Sequence, residues 1–587
     1  MSLTGGGRGA SEGHGLIRPS GTRGPLRHLS LYLVLADYSG VDPILRDHEG
    51  VRLDMIDSIL SSVGKVDLLL GLNILARVWK RDEELTRVLQ LLRASLSERS
   101  RTLLENALRP GPEQRTLVVR QGILEGFREV LRHGRDVPTT KNPEAAALML
   151  THSVLQRTHR SGQPIQFGGI DADLSIPICI NQYFYGTDDD VSRFDRILRL
   201  WRDFGPKQSA LLGGRTPGEL LLLATGLDVE DLITMAFALW ANHEQWSLGG
   251  PLYIDVNLHP GMDVERWTTF LDLVAATPEE FERSLTDPRS EWDFLEFENH
   301  PVIRMENGLL IMDSQLLLDR VTNGLYYFVL DHERARGETE REAWQKAWGR
   351  MIEELAESCL RPMAPLDFAG GRTFFTEEDL QIAYPNTKQS DVVLDFGAEV
   401  AVFEIVSGQL KIGSRVLLDV VSFREDFKKI VSTKLLQLDV TSSNILSNPA
   451  PLTGVSQTPT RVQPVLIAGG RFPVNFITMF ELERFITDNE LFTDARILPV
   501  AVMDLGEIEI LEALCEQGQS PINLIARWRA SEDAQVSFRN WIHNEPGLEA
   551  ARPTRMNDQV ESFMREANAR LNLFDDSTAR DADGEAD

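Results

Sequence analysis

The run Val-Ala-Val-Phe-Glu-Ile-Val at residues 400–406 is the strongest constraint on how this chain folds. Side chains alternate across a β-strand, so Val400, Val402, Glu404 and Val406 share one face. Ala401, Phe403 and Ile405 share the other. Apolar residues on both faces predict a central strand, in a sheet covered on each side. Such a strand takes Glu404 indoors. Burying a lone carboxylate is costly unless something compensates it. A divalent cation is one compensation, and a buried Arg or Lys is the other.

The surrounding pattern agrees with a covered sheet. After Pro365, short β-rich runs at 391–396, 400–406, 416–420, 465–468 and 497–502 alternate with helical patterns at 424–438, 480–487 and 505–516. Strands alternating with helices predict a mixed α/β sheet. Upstream, Thr339 to Leu360 reads as an amphipathic helix, with Ala343, Trp344, Ala347, Trp348, Met351, Leu355 and Cys359 on one stripe. Asp313 to Tyr327 reads as a helix, and Glu306-Asn307-Gly308 as the turn of a short hairpin. From Pro25 to Ala276 three- and four-residue spacing predicts mostly helix, including Ser97 to Leu108. Ser161 to Asp190 reads as a loop-rich connector.

The expected fold class is therefore multi-domain α plus α/β. The expected divisions are a disordered lead-in at 1–27, a mostly helical domain at 28–290, and a hairpin-and-helix connector at 291–335. An α/β domain at 336–515, a helical extension at 516–573 and an acidic disordered tail at 574–587 follow.

Composition narrows the function classes. With 587 residues, 42% of them hydrophobic, the chain is long enough for several domains. No apolar run reaches the roughly 18 residues needed to cross a bilayer, so no membrane partner is expected. The glycine-rich start, MSLTGGGRGASEGHG, lacks the apolar segment of a secretory signal. Cys179, Cys359 and Cys515 are too few and too scattered for a disulfide framework or a Cys-rich zinc site. The expected compartment is the cytosol. CxxC, HExxH, P-loop, GxSxG and EF-hand patterns do not occur. His259, beside a proline, reads as structural, and Trp240, Trp246 and Trp267 as packing residues of the N-terminal region.

The formal net charge is −28, which opposes extensive phosphate binding. That charge is unevenly spread. Residues 361–470 carry ten Lys/Arg against twelve Asp/Glu, while the last thirteen residues carry six acids against one arginine.

Asp391 opens the strand before that of Glu404. Two carboxylates from adjacent strands repel one another and suit a Mg²⁺ ion between them. Asp395 is a weaker candidate of the same kind, or a turn residue. Along residues 424–438, Phe427, Val431, Lys434 and Leu438 fall at +4, +3, +4. This puts Lys434 on the helix face that packs on the sheet, where a lysine needs an anionic partner. Glu404 fits that need; the alternative is that Lys434 reaches out to solvent. Gln437 and Lys411 lie nearby. Glu377, Glu378 and Asp379 read as the first turn of a short helix.

Taken in order, WGRMIEELAESCL, SDVVLDF, FEIVSG, DFKKIVSTKLLQLD and VQPVLIAGG resemble the PD-(D/E)xK nuclease superfamily, the restriction-endonuclease-like fold. The resemblance spans about 344–510. It implies a Mg- or Mn-dependent phosphodiesterase acting on DNA or RNA, with Asp391 and Glu404 as metal ligands. The family's lysine falls two residues after the glutamate, where this chain has Val406. Lys434 is the expected substitute. A further glutamate from the first helix is Glu353 by the resemblance and Glu354 by the helical wheel, which is preferred on geometry. The alternative function is an inactive nuclease-fold scaffold, and a third is a purely structural domain with Glu404 and Lys434 as a buried ion pair. The N-terminal helical region is the expected surface for substrate or a protein partner.

Overall fold

The computed structural model describes residues 49–96, 98, 101–102, 118, 120–158, 190–247, 250–256, 263–286, 293–365, 372–416, 419–469, 476–534 and 536–571. The expected lead-in, the acidic tail, nearly all of the 161–190 connector, most of the helix at 97–108, Cys179 and His259 lie outside them. The chain forms two compact units: 1–161 with 244–252, and 162–243 with 253–587.

In the first unit, α1 (Glu49–Ser62), α2 (Lys65–Val78), α3 (Asp82–Arg93), α4 (Arg120–His133) and α5 (Pro143–Thr158) form a helical assembly. Leu68, Leu69, Leu72 and Leu75 of α2 are buried, as are Leu124, Phe127 and Leu131 of α4. Gly71 allows close approach: a Cβ there would lie 2.8 Å from the Pro143 carbonyl and 2.9 Å from the Ala147 Cβ. Arg77 donates to the Leu252 carbonyl at 2.8 Å and stacks on Trp246 at 5.2 Å.

The second unit begins with α6 (Asp190–Leu198), a π-turn and a 3₁₀ segment to Leu212, α7 (Pro217–Thr225), α8 (Val229–Glu244) and α9 (Val264–Val274). Strands β1 (Ala275–Ala276), β2 (Val302–Met305) and β3 (Gly308–Ile311) make a small mixed sheet. The hairpin turns where expected. The single helix expected at 313–327 is instead Ser314–Val321 followed by α10 (Gly324–Arg336). Then come α11 (Glu338–Leu360), β4 (Phe374–Thr376), β5 (Val392–Asp395), β6 (Glu399–Val406), α12 (Val420–Phe427), α13 (Thr433–Ser447), β7 (Arg461–Ala468), α14 (Phe476–Asp488) and β8 (Ala501–Asp504). Helices α15 (Leu505–Glu516), α16 (Pro521–Arg529), α17 (Phe538–Asn544) and α18 (Thr554–Leu571) complete it. With two mixed sheets in a helix-rich chain, the protein is of the multi-domain α plus α/β class.

The larger sheet runs β4-β5-β6-β7-β8. Strands β4, β5 and β6 are antiparallel neighbours, whereas β6, β7 and β8 are parallel. Strand β6 is central, as its apolar run requires, and Glu404 pairs with Leu466 of β7. Of the β-run expected at 416–420, the described residues 416, 419 and 420 are not strand. Residues 412–415 are a helical turn and Asp419 caps α12 by accepting from Ser422 N at 2.9 Å. Asp426 accepts from Lys411 N at 2.8 Å and Ser414 Oγ at 2.6 Å, which folds that segment back onto α12.

One core runs through the second unit. It joins Phe194, Trp201 and Leu232 to Trp344, Trp348, Phe403, Ile405, Trp528, Trp541 and Phe563. Trp201 and Trp344 approach to 5.9 Å, and the Trp344 indole donates to the Tyr326 carbonyl at 3.1 Å. The compact units accordingly do not divide at residue 290 or at 515. Residues 190–243 and helices α16–α18 bury their apolar faces in the same core as the sheet. Trp267 also belongs to this core, whereas Trp246 packs in the first unit.

Helix α11 lies against the ends of β6 and β7. A Cβ on Gly469 would meet Ile352 Cγ2 at 2.1 Å and the Val406 carbonyl at 3.3 Å. Ile352 is buried and cannot swing aside. Gly469→Ala is expected to destabilise the protein by about 1–3 kcal/mol through overpacking, read as a lower urea midpoint. An unchanged midpoint would mean that α11 is free to shift.

Candidate functional site

Backbone pairing brings the two predicted acids together. Val392 lies opposite Phe403 in the β5–β6 ladder. The Asp391 amide, just before that ladder begins, donates to the Phe403 carbonyl at 3.1 Å. Asp391 thus lies beside β6, close enough to Glu404 for its charge to act on that carboxylate. The Asp391 carboxylate accepts from the Ile405 amide at 2.5 Å, which holds it beside β6.

Lys434 comes from the helix on that face. Its ammonium donates to Glu404 Oε1. Glu404 is fully buried and the Lys434 side chain about three-quarters buried, so little water screens the pair. The other carboxylate oxygen, Glu404 Oε2, is buried with no hydrogen-bond partner among the described residues. The wheel-based placement of Lys434 on the sheet-facing side of its helix is what the structure shows.

A polar layer fixes helix against strand. Gln437 Nε2 donates to the Gln389 carbonyl at 3.0 Å, and the Ser390 amide donates to Thr441 Oγ1 at 2.9 Å. Asn444 Nδ2 reaches Thr387 Oγ1 at 3.3 Å. These bonds tie the segment leading into Asp391 to the helix bearing Lys434. Gln437 is therefore a clamp between the two elements.

The first-helix acids separate cleanly. Glu354, preferred on the helical wheel, turns away: it accepts from Lys207 at 2.8 Å and from Gln208 at 2.6 Å. The wheel failed because the 3₁₀ segment covers that flank of the apolar stripe and supplies partners for Glu354. Glu353 pairs with Arg350 at 2.8 Å and lies within electrostatic reach of Asp391 and Lys434. Asp395 is a turn residue, accepting from Gly397 N at 2.7 Å. Lys411 is committed to Asp426 at 3.2 Å. Glu377 opens its short helix as expected, but it also lies 3.7 Å from Arg350 and repels Asp391. Lys388 contributes positive potential at both Asp391 and Glu404. Neither Glu377 nor Lys388 was marked by any spacing pattern.

The electrostatics are those of crowded acids. Burial, then Asp391, raises the Glu404 pKa well above the usual carboxylate range despite Lys434. Burial raises Asp391, opposed by Lys434 and the Ile405 amide. Burial and Asp391 raise Glu353. Burial works against the Lys434 charge, but Glu404 and Asp391 outweigh it and lift that pKa. Each acid therefore holds its proton more tightly than in the unfolded chain. A bound cation would relieve this repulsion.

The donors fit a hard divalent ion, being carboxylate oxygens only, with Glu404 Oε2 unpartnered. Among the described residues no three His, Cys, Asp or Glu side chains converge into a full metal cage. An ion held here would keep several waters, as Mg²⁺ characteristically does.

Between the ordinary carboxylate range and the raised values, the folded state binds more protons than the unfolded state, so stability falls as pH rises. Lys434 does not titrate in this window. In EDTA, melting temperature is expected to decline from pH 5 to 8 more steeply for the wild type than for Glu404→Gln, and Mn²⁺ to restore only the wild type at pH 8. Parallel pH curves would exclude this assignment of the acids. Comparison with known protein families, characterised proteins and solved structures finds no match for this chain.

Proposed function

We propose that this protein is a divalent-metal-dependent phosphodiesterase acting on DNA or RNA, with a restriction-endonuclease-like core whose lysine has moved from the strand to the following helix. The observation that carries this reading is the grouping of Asp391, Glu404 and Lys434, with the Lys434 ammonium on Glu404 Oε1, Glu404 Oε2 unpartnered among the described residues and Asp391 within electrostatic reach of both. The order of elements supports it: helix α11, Asp strand β5, Glu strand β6, helix α12–α13, then parallel strand β7.

Each residue has a distinct task in this reading. Asp391 and Glu404 would hold a Mg²⁺ or Mn²⁺ ion, which when bound lowers the pKa of a water and stabilises charge on the phosphate. Lys434, on Glu404 Oε1, would take the task of the lysine that the family carries at the position of Val406. From there it orients a nucleophilic water by hydrogen bonding and offsets developing negative charge. Val406, nearly fully buried, keeps that side of the strand dry and can do neither. Glu353, with its raised affinity for a proton, would accept one from water. Gln437 holds the helix and strand in register.

One observation favours a second reading. The Glu404–Lys434 ion pair already compensates half of the buried carboxylate without an ion. An inactive scaffold with the same fold would need no more than this pair. Calorimetric titration separates the two, because only the enzyme requires Mn²⁺.

Wild-type protein is expected to cleave plasmid or single-stranded substrates in Mn²⁺. Glu404→Ala and Asp391→Asn should abolish this, and Lys434→Met should lower kcat by about 10²–10³, the usual cost of losing one transition-state donor. Lys434→Ala should also cost roughly 3–5 kcal/mol of stability by stranding a buried carboxylate. Wild-type protein that neither binds Mn²⁺ nor cleaves DNA or RNA would overturn the enzyme reading.

A further inference from the structure

Arg320 is a partly buried cation with no anion beside it. It lies in the last turn of the helix Ser314–Val321 and touches three other elements. Its Nε donates to the Leu273 carbonyl near the end of α9 at 3.3 Å, and its Nη1 donates to Asn299 Oδ1 at 3.3 Å. Its guanidinium carbon lies 4.0 Å from the centroid of the Phe328 ring in α10. All three partners are neutral, both hydrogen bonds are long, and Nη2 makes none among the described residues. A guanidinium drawn out of water calls for a compensating charge.

The chain has 88 Asp/Glu against 60 Lys/Arg, so the missing partner is not a matter of supply. The acids near Arg320 are committed elsewhere. Glu298 and Asp331 are the ones whose charge reaches it. Glu298 accepts from Arg415 at 2.6 Å and Asp331 from Arg334 at 2.8 Å. Asp272, next to Leu273, accepts from Arg304 at 2.8 Å. Arg320 itself makes no ion pair among the described residues. Burial pulls its pKa down to about 10, and burial followed by the Arg320 charge holds His300 below the usual histidine range. Arg77, in the first unit, shows how an arginine does without an acid. Both of its Nη atoms donate to backbone carbonyls, of Pro251 at 3.3 Å and Leu252 at 2.8 Å, and it is only 3% exposed. Arg320, Asn299 and Phe328 instead all remain partly open to solvent. A guanidinium can only donate, so the Asn299 atom that meets it is the oxygen. This leaves the Asn299 Nδ2 hydrogens as further donors, with no partner among the described residues.

We infer that Arg320 and Asn299 form a binding site for a small oxyanion, a carboxylate or a phosphate group, taken by the open edge of the guanidinium and by the Asn299 amide. The remaining groups there are donors, which suits an anion and repels a metal ion. Parallel N–H bonds from a guanidinium match two oxygens of a carboxylate or phosphate, and the Phe328 ring and the Leu273 carbonyl hold that fork in a fixed plane. The site owes nothing to the acids at Asp391 and Glu404 and does not depend on the phosphodiesterase reading. An occupant adds a charged partner to a residue that already joins α9, the turn of helix at Leu295–Asn299 and α10, so its binding is read as stability.

The full chain is melted at neutral pH in rising sodium phosphate and, separately, in rising sodium acetate, with sodium chloride holding the ionic strength constant. Wild-type protein should show a saturable rise in melting temperature at millimolar phosphate or acetate over chloride alone, as a ligand of the folded state requires. A rise with phosphate alone assigns the site to phosphate groups, and a rise with acetate assigns it to carboxylates. Arg320→Gln should remove the rise. That change also loses the contacts to Leu273 and Phe328, so Asn299→Asp is the second variant. It sets a carboxylate against the guanidinium in place of the anion. It should therefore melt above the wild type in chloride and respond to neither phosphate nor acetate. No rise in the wild type with either anion, or a rise that persists in both variants, overturns the site.

Discussion

A carboxylate at the centre of a covered β-sheet sets the terms for the C-terminal half of this protein. Glu404 cannot lie there charged and unaided. The structure answers with Lys434, delivered from the helix that crosses from β6 to β7. That answer demands a helix of fixed register, because a shift of one residue would rotate the lysine by about 100°. The π-turn at Lys428–Ser432 supplies the register, and the polar layer of Gln437, Thr441 and Asn444 locks helix against strand.

The compensation is incomplete, and this leaves room for chemistry. One lysine faces two buried acids and a third close by. Asp391, Glu404 and Glu353 all titrate above their ordinary range, with burial as the leading cause. A purely structural ion pair would not require Asp391 or Glu353 nearby. The metal site proposed above rests on this surplus of buried acidity. The unpartnered Glu404 Oε2 points the same way.

Much of this was legible in the residues. Alternation through 400–406 marked β6 as central, and the 427/431/434/438 spacing put Lys434 on the sheet side of its helix. The stripe of α11 was evident from Trp344 to Cys359. Other expectations failed for local reasons. The apolar stretch around 416–420 has β character, yet the capping by Asp419 and the bonds to Asp426 fold its ends as helix. Glu354 flanked the apolar stripe of its helix, but Lys207 and Gln208 took it, and neither is near it in sequence. The expected boundary at 290 treated the upstream helices as a block, whereas Phe194, Trp201 and Leu232 pack with the sheet.

The sequence by itself determined the strand, its buried acid and the neighbouring Asp391, because each follows from the period of one element. Only the tertiary structure decided the register that carries Lys434 past the π-turn onto Glu404, the partners that Glu353 and Glu354 of α11 find, and which helices share a core. Those outcomes depend on contacts between residues far apart in the chain, and on a π-turn whose extra residue leaves the apolar pattern looking like ordinary helix.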